Sequence, residues 1–130
     1  MRRPSKKQYY LDLAEAVSAR SPCPEGKRHG AVIVVNDRPV ATGYNGPPRK
    51  WDHCLISEDS TCPLDVAKAQ GMKDWTVCPA VHAEVNVVIT AALSGTIIAK
   101  GTIYMTKKPC VQCARFLANC GFKNIYWRQE

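Results

Sequence analysis

Two short stretches of this 130-residue chain combine side chains whose types and spacing suit chemistry: His82-Ala83-Glu84 and Pro109-Cys110-Val111-Gln112-Cys113. Two cysteines separated by two residues have a spacing common at zinc sites, and a histidine adds the nitrogen ligand that such sites combine with sulfur. Taken alone, the first stretch is equally satisfied by a partly buried histidine with a helix-start carboxylate, and the second by a redox pair. Together they offer one nitrogen and two sulfurs to a single ion. Three protein ligands leave the fourth tetrahedral position to water, the arrangement a catalytic zinc needs. Glu84, kept off the metal, would then take a proton from that water and pass it to a leaving group.

These residues need elements to position them. Val85, Val88, Ile89 and Leu93 recur at helical spacing, with Ala91 and Ala92 between them. The spacing predicts a helix packed on a core, with His82 and Glu84 in its first turn. A second helix is predicted from about Val111 to Cys120, directly after a strand at Thr102 to Thr106. Helix starts carry free backbone N–H groups and the positive end of the dipole, which favour carboxylates and thiolates. Upstream, Tyr9, Tyr10, Leu13, Ala14 and Val17 predict a first helix from about Lys7 to Ala19, broken by the segment Ser21 to Gly26. Ala31 to Val35 and Pro39 to Tyr44 flank the turn pair Asn36-Asp37 and predict a hairpin, closed by Asn45-Gly46-Pro47-Pro48.

Residues 49–79 show little apolar periodicity apart from a short helix near Leu64 to Gln70, and they hold His53, Cys54, Cys62 and Cys78. A loop of that length inside a compact domain needs a function or something to hold it. The last strand is expected at Asn124 to Trp127. The order helix, strand, strand, helix, strand, helix, strand predicts an α/β sandwich. Its mixed sheet would have an N-terminal hairpin followed by parallel strands, with helices on both faces. Residues 1–130 are expected to form one domain with a basic, flexible start over residues 1–8 and an insertion at 49–79, and its ligand crevice should lie where strand ends meet helix starts.

Seven cysteines, an odd number, argue against a disulfide framework, since the basic first ten residues are not followed by a signal-type apolar stretch. No run approaches membrane-spanning length, so a soluble intracellular chain with reduced, metal-binding thiols is expected. The formal charge of +7 comes largely from Arg2, Arg3, Lys6 and Lys7, with further pairs at Arg49/Lys50 and Lys107/Lys108. It suits an anionic partner, either nucleic acid or a nucleotide phosphate, and equally a solvated tail and surface.

His-Ala-Glu at 82–84, Pro-Cys-Val-Gln-Cys at 109–113 and the strand from Gly30 leading to Gly43-Tyr44-Asn45-Gly46 resemble the cytidine deaminase superfamily from about Tyr10 onward. Within it, Gly43 to Pro48, the cysteine-bearing insertion and Asn86 after the His-Ala-Glu run are most similar to deoxycytidylate (dCMP) deaminases. The resemblance implies a three-layer cytidine deaminase-like fold and zinc-dependent hydrolysis of dCMP to dUMP and ammonia, supplying dUMP for dTMP synthesis. It places the catalytic zinc on His82, Cys110 and Cys113 and makes Glu84 the proton shuttle to the leaving amine. It makes Asn45 a nucleoside contact and lines the base pocket with backbone around Ala83 and the Thr106 to Pro109 segment. A second, structural zinc on Cys23, Cys54, Cys62 and Cys78 is implied, with His53 a rival ligand, while Cys120 reads as an ordinary core residue.

The resemblance further implies a homo-oligomer, often a hexamer among family members, with dCTP and dTTP as effectors together with Mg²⁺. It implies a cytoplasmic setting (host cytoplasm for a viral protein) and neither nucleic acid nor membrane as partner. The substrate phosphate is assigned to Arg28, with Lys107 and Lys108 as competitors. Three departures bear on regulation: the sequence stops at Glu130, where family members usually continue through another helix and strand. Leu93 stands where many carry a basic residue, and Lys50 where glycine is common. The competing readings are a tRNA adenosine deaminase, another nucleoside or nucleotide deaminase, and a non-catalytic zinc module that binds nucleic acid.

Overall fold

The computed structural model describes residues 2–51 and 78–129. His53, Cys54, Cys62 and the helix expected near Leu64 to Gln70 lie outside the described residues. The elements are α1 (Lys6–Ser18), β1 (Gly30–Val35), β2 (Arg38–Tyr44), α2 (Ala83–Leu93), β3 (Thr102–Met105), α3 (Val111–Ala118) and β4 (Asn124–Trp127). Their order is the one the apolar patterning predicts.

Ser5 starts α1, its side chain accepting a hydrogen bond from the Gln8 amide. Residues 6–8, expected as part of a flexible start, are therefore helical. Asn36 and Asp37 have φ of 52° and 60°, the left-handed conformation at both central positions that a tight two-residue hairpin requires. The Tyr10 hydroxyl donates to Asp37 Oδ1 at 2.7 Å and fastens α1 to this turn.

The sheet order is β2-β1-β3-β4. β1 is antiparallel to both β2 and β3, and β3 is parallel to β4. Hence β2, β3 and β4 run the same way, as crossovers through helices demand. Alternate residues of β1 face opposite layers. Val32 and Val34 pack with Tyr10, Leu11 and Ala14 of α1. Ala31 and Ile33 pack with Ala83, Val87 and Ala91 of α2, Leu117 of α3, and Ile103 and Met105 of β3.

Two expectations need correction. The buried stripe of α2 is Ala83, Glu84, Val87 and Ala91, whereas Ile89 and Leu93 are 42% and 66% exposed. This helix is apolar on every side, so periodicity does not select the inward face. Close approach to β2 does: a Cβ on Gly43 would lie 2.5 Å from the Val87 amide nitrogen, leaving room only for small side chains between them. Cys120 is not in either core cluster, because α3 ends at Ala118 and the chain turns before a further helical repeat could bring it inward. It is half-buried, and its thiol donates to the Phe116 carbonyl. Among the described residues, no helix is long and apolar enough to cross a membrane.

Gly43→Ala places a methyl group against backbone, which cannot rotate aside. It should destabilise the fold by about 1–3 kcal/mol, read as a lower urea midpoint. A midpoint equal to the parent's would show that α2 is not held this close to β2.

Candidate active site

His82 is the residue at which α2 begins, Cys110 is the corresponding residue of α3, and Cys113 lies in the first turn of α3. The start of α2 is fixed from two sides. Gly46 and Val81 exchange backbone hydrogen bonds of 2.7 and 3.2 Å. The Asn86 side-chain amide donates to the carbonyls of Tyr44 at 2.8 Å and Val81 at 3.3 Å. The end of β2 is thereby tied to the residue before His82.

His82 Nδ1 lies 3.2 Å from Cys113 Sγ and 3.7 Å from Cys110 Sγ, and the three ligand atoms are all within 4.8 Å of one another. A tetrahedral zinc with ordinary Zn–N and Zn–S bonds sets the N···S edge at about 3.6 Å. The residues present therefore fit the ion. Burial, the Glu84 carboxylate and the Cys110 thiol push the Cys113 thiol up to about 12. A divalent cation between the ligands offsets these effects and takes the sulfur as thiolate.

His82, Glu84 and Cys110 open onto a cavity of about 430 Å³. Glu84 is buried, stands outside the ligand set and has no hydrogen-bond partner among the described residues. The first hydrogen bonds of α2 are made by Val85 and Asn86 to the His82 carbonyl. The amides of Ala83 and Glu84 are therefore left for a ligand, and both residues line the cavity. Thr106 lines it as well. Its amide donates to the Gly30 carbonyl, and its Oγ1 accepts from the Gly30 amide at 3.1 Å.

Asn45 lines the cavity with its side chain engaged on every side. Oδ1 accepts from Ser21 Oγ and from the His29 amide, each at 2.8 Å. Nδ2 donates to the Lys27 carbonyl at 2.8 Å and to Cys23 Sγ at 3.4 Å. Its amide has two acceptor and two donor positions, and all four are used in holding the segment from Ser21 to His29. A nucleoside contact from Asn45 would have to displace one of them, the thiol being the weakest. Arg28, to which the phosphate was assigned, does not line the cavity: its Nε donates to the Cys23 carbonyl at 2.8 Å. Its neighbours Lys27 and His29 line the cavity instead, together with Lys107 and Lys108. Cys23 and Cys78 both line the cavity, while Cys54 and Cys62 fall outside the described residues.

Sequence reasoning passed over His29 and Lys27. The one signal was position, since His29 immediately precedes Gly30, the first residue of β1. Burial, then the charges at Lys107, His82 and Lys27, lower the His29 pKa.

A family model described as the cytidine and deoxycytidylate deaminase zinc-binding region matches residues 4–129. The chain belongs to this deaminase family. It is 36% identical to the deoxycytidylate deaminase of Mycobacterium phage D29, covering 100% of this chain and 99% of the phage protein. It is 31% identical to ComE operon protein 2 of Bacillus subtilis and spans 62% of that protein's length. Among solved structures, dCMP deaminase from the cyanophage S-TIM5, in complex with dCMP and dUMP, superposes with a TM-score of 0.75 at 29% identity. That match covers 98% of this chain and 84% of the cyanophage chain. The cytidine deaminase-like fold follows from these matches together with the mixed sheet and its three described helices.

Removing a ligand of this deaminase should remove its metal, while removing the carboxylate should not. Metal analysis of His82→Ala and Cys110→Ser should show loss of one zinc equivalent, and Glu84→Gln should retain it. Loss of zinc from Glu84→Gln would make the carboxylate a ligand and contradict its placement off the metal.

Proposed function

We propose that this deaminase hydrolyses dCMP to dUMP and ammonia, feeding dUMP to thymidylate synthesis. The observation that carries this reading is the His82, Cys110, Cys113 set, of which His82 and Cys110 open into a cavity of nucleotide size beside a buried Glu84 that has no hydrogen-bond partner among the described residues. The deoxycytidylate deaminase of phage D29 and the cyanophage enzyme crystallised with dCMP and dUMP support the choice of substrate.

His82, Cys110 and Cys113 would hold zinc, which supplies the positive charge that makes a water acidic enough to attack near neutral pH. Glu84 accepts a proton from the attacking water as its oxygen bonds to C4 of the cytosine ring. The bond from C4 to the exocyclic nitrogen then breaks and ammonia leaves. Of the water's two protons, one ends on N3 of the ring and the other on the departing amine, both within reach of one carboxylate that lends and recovers its charge. The free amides of Ala83 and Glu84 and the Thr106 segment orient the base.

We read Cys23, Cys54, Cys62 and Cys78 as a closed, structural zinc site that staples the insertion to the loop after α1. Buried Cys23 and half-buried Cys78, which both line the cavity, support it. The exposed apolar positions Ile89 and Leu93, on a helix whose one charged residue is Glu84, support a homo-oligomer. Regulation by dCTP and dTTP with Mg²⁺ rests on the family resemblance alone. The phage relative supports a cytoplasmic setting, in the host for a viral protein.

Incubated with dCMP, the zinc-loaded protein should release ammonia and form dUMP, and Glu84→Gln should lose at least about 10²-fold in kcat. Deamination of tRNA adenosine with dCMP untouched would overturn the reading. Metal analysis should give about two zinc atoms per chain, falling towards one in the Cys54→Ser, Cys62→Ser double variant. A clean value of one in the parent would remove the four-cysteine site.

A further inference from the structure

One partner of Asn45 has a choice that the others lack. Ser21 lies just beyond α1, is 3% exposed, and donates its amide to the Ser18 carbonyl at 3.0 Å, which ties it to the end of that helix. Its Oγ accepts from the Cys23 amide at 3.1 Å and faces two oxygens of Asn45, the carbonyl at 2.7 Å and Oδ1 at 2.8 Å. A hydroxyl carries a single proton, so these two acceptors compete for one donor. The His29 amide and the Lys27 carbonyl, which also hold the Asn45 side chain, are backbone groups fixed in one direction. The Asn45 amide donates to the His29 carbonyl at 3.2 Å, so the loop stays fastened to the end of β2 when the side chain changes partner. Asn45 lines the cavity and Ser21 does not.

We infer that Ser21 is a positioning residue for the deamination, acting through Asn45. Its hydroxyl holds the Asn45 side chain in place before the substrate enters. When a donor of the substrate takes Oδ1, the proton turns to the Asn45 carbonyl, and no buried group is left without a partner. This rests on the dCMP reading of the cavity that Asn45 lines. The thiol contact of Asn45 Nδ2 is the weaker bond in itself, but the Ser21 bond is the one whose donor has a second acceptor already at 2.7 Å. A buried polar group deprived of its partner bears the full cost of its lost hydration, and the two-acceptor arrangement at Ser21 removes that cost from the exchange. Without the hydroxyl, the Cys23 amide loses its acceptor and Oδ1 loses a donor. The side chain is then ordered only as the substrate binds, which weakens binding and leaves the metal chemistry alone.

The test compares zinc-loaded parent, Ser21→Ala, Asn45→Ala, the double variant and Ser18→Ala. Ser18 is the control, a buried serine whose hydroxyl donates to the Glu15 carbonyl at 2.6 Å rather than to Asn45. Ser21→Ala should raise KM for dCMP about tenfold and weaken dUMP binding by a similar factor, with kcat and zinc content held. Ser18→Ala should match the parent in KM. In the Asn45→Ala background, adding Ser21→Ala should raise KM no further, because the two residues act as one unit. A parent-like KM in folded Ser21→Ala, an equal change in Ser18→Ala, or additive losses in the double variant would overturn the inference and leave the dCMP reading standing. Should Ser21→Ala not fold, a structure of the parent with dUMP decides. Ser21 Oγ on the Asn45 carbonyl, with Oδ1 turned to the nucleotide, supports the inference, and Oδ1 still on Ser21 with no nucleotide contact overturns it. A parent that neither deaminates dCMP nor binds dUMP overturns both readings.

Discussion

Three ligand atoms drawn from two helices must come within one tetrahedral edge of each other, and most of the described structure can be understood as what that distance requires. His82 stands at the start of α2 and Cys110 and Cys113 at the start of α3. The two helix starts meet only if α2 lies hard against the sheet and enters at a fixed angle. Gly43 permits the first by leaving its Cβ position to the backbone of Val87. The Gly46–Val81 bridge and the Asn86 amide set the second. A shift of α2 by the width of one methyl group would move His82 off the sulfurs, so residues far from any chemistry become requirements of the site.

The same economy of space explains which features could be seen in the amino-acid sequence. The ligand set was legible because its spacing is local: two cysteines in one helical turn and a histidine two residues from a glutamate need no knowledge of the fold to be recognised. The hairpin was legible because Asn36 and Asp37 tolerate the positive φ that its turn demands. The inward face of α2 was not, since Val85, Val88, Ile89 and Leu93 are as apolar as the residues that are buried. The deciding contact comes from a glycine some forty positions earlier in the chain, roughly the separation of β2 and α2. The identity of the cavity cations was hidden for a related reason. Lys27, Arg28 and His29 are consecutive, and tertiary hydrogen bonds to Cys23 and Asn45 decide which of them meet the cavity.

Asn45 links these two observations. It lies in the Gly43 to Gly46 run that closes β2, next to the bridge that positions His82, and its side chain holds the loop that delivers Lys27 and His29. One short segment thus sets the metal end of the cavity through its backbone and the cationic wall through a single amide.

The most direct test of this account is a crystal structure of the zinc-loaded protein with dUMP, with anomalous data collected at the zinc edge. The account expects a peak bonded to His82 Nδ1, Cys110 Sγ and Cys113 Sγ at about 2.0–2.3 Å, with the Glu84 carboxylate off the metal and beside the pyrimidine ring. A zinc peak that is absent from these three atoms, or that takes Glu84 as a fourth ligand, would contradict it.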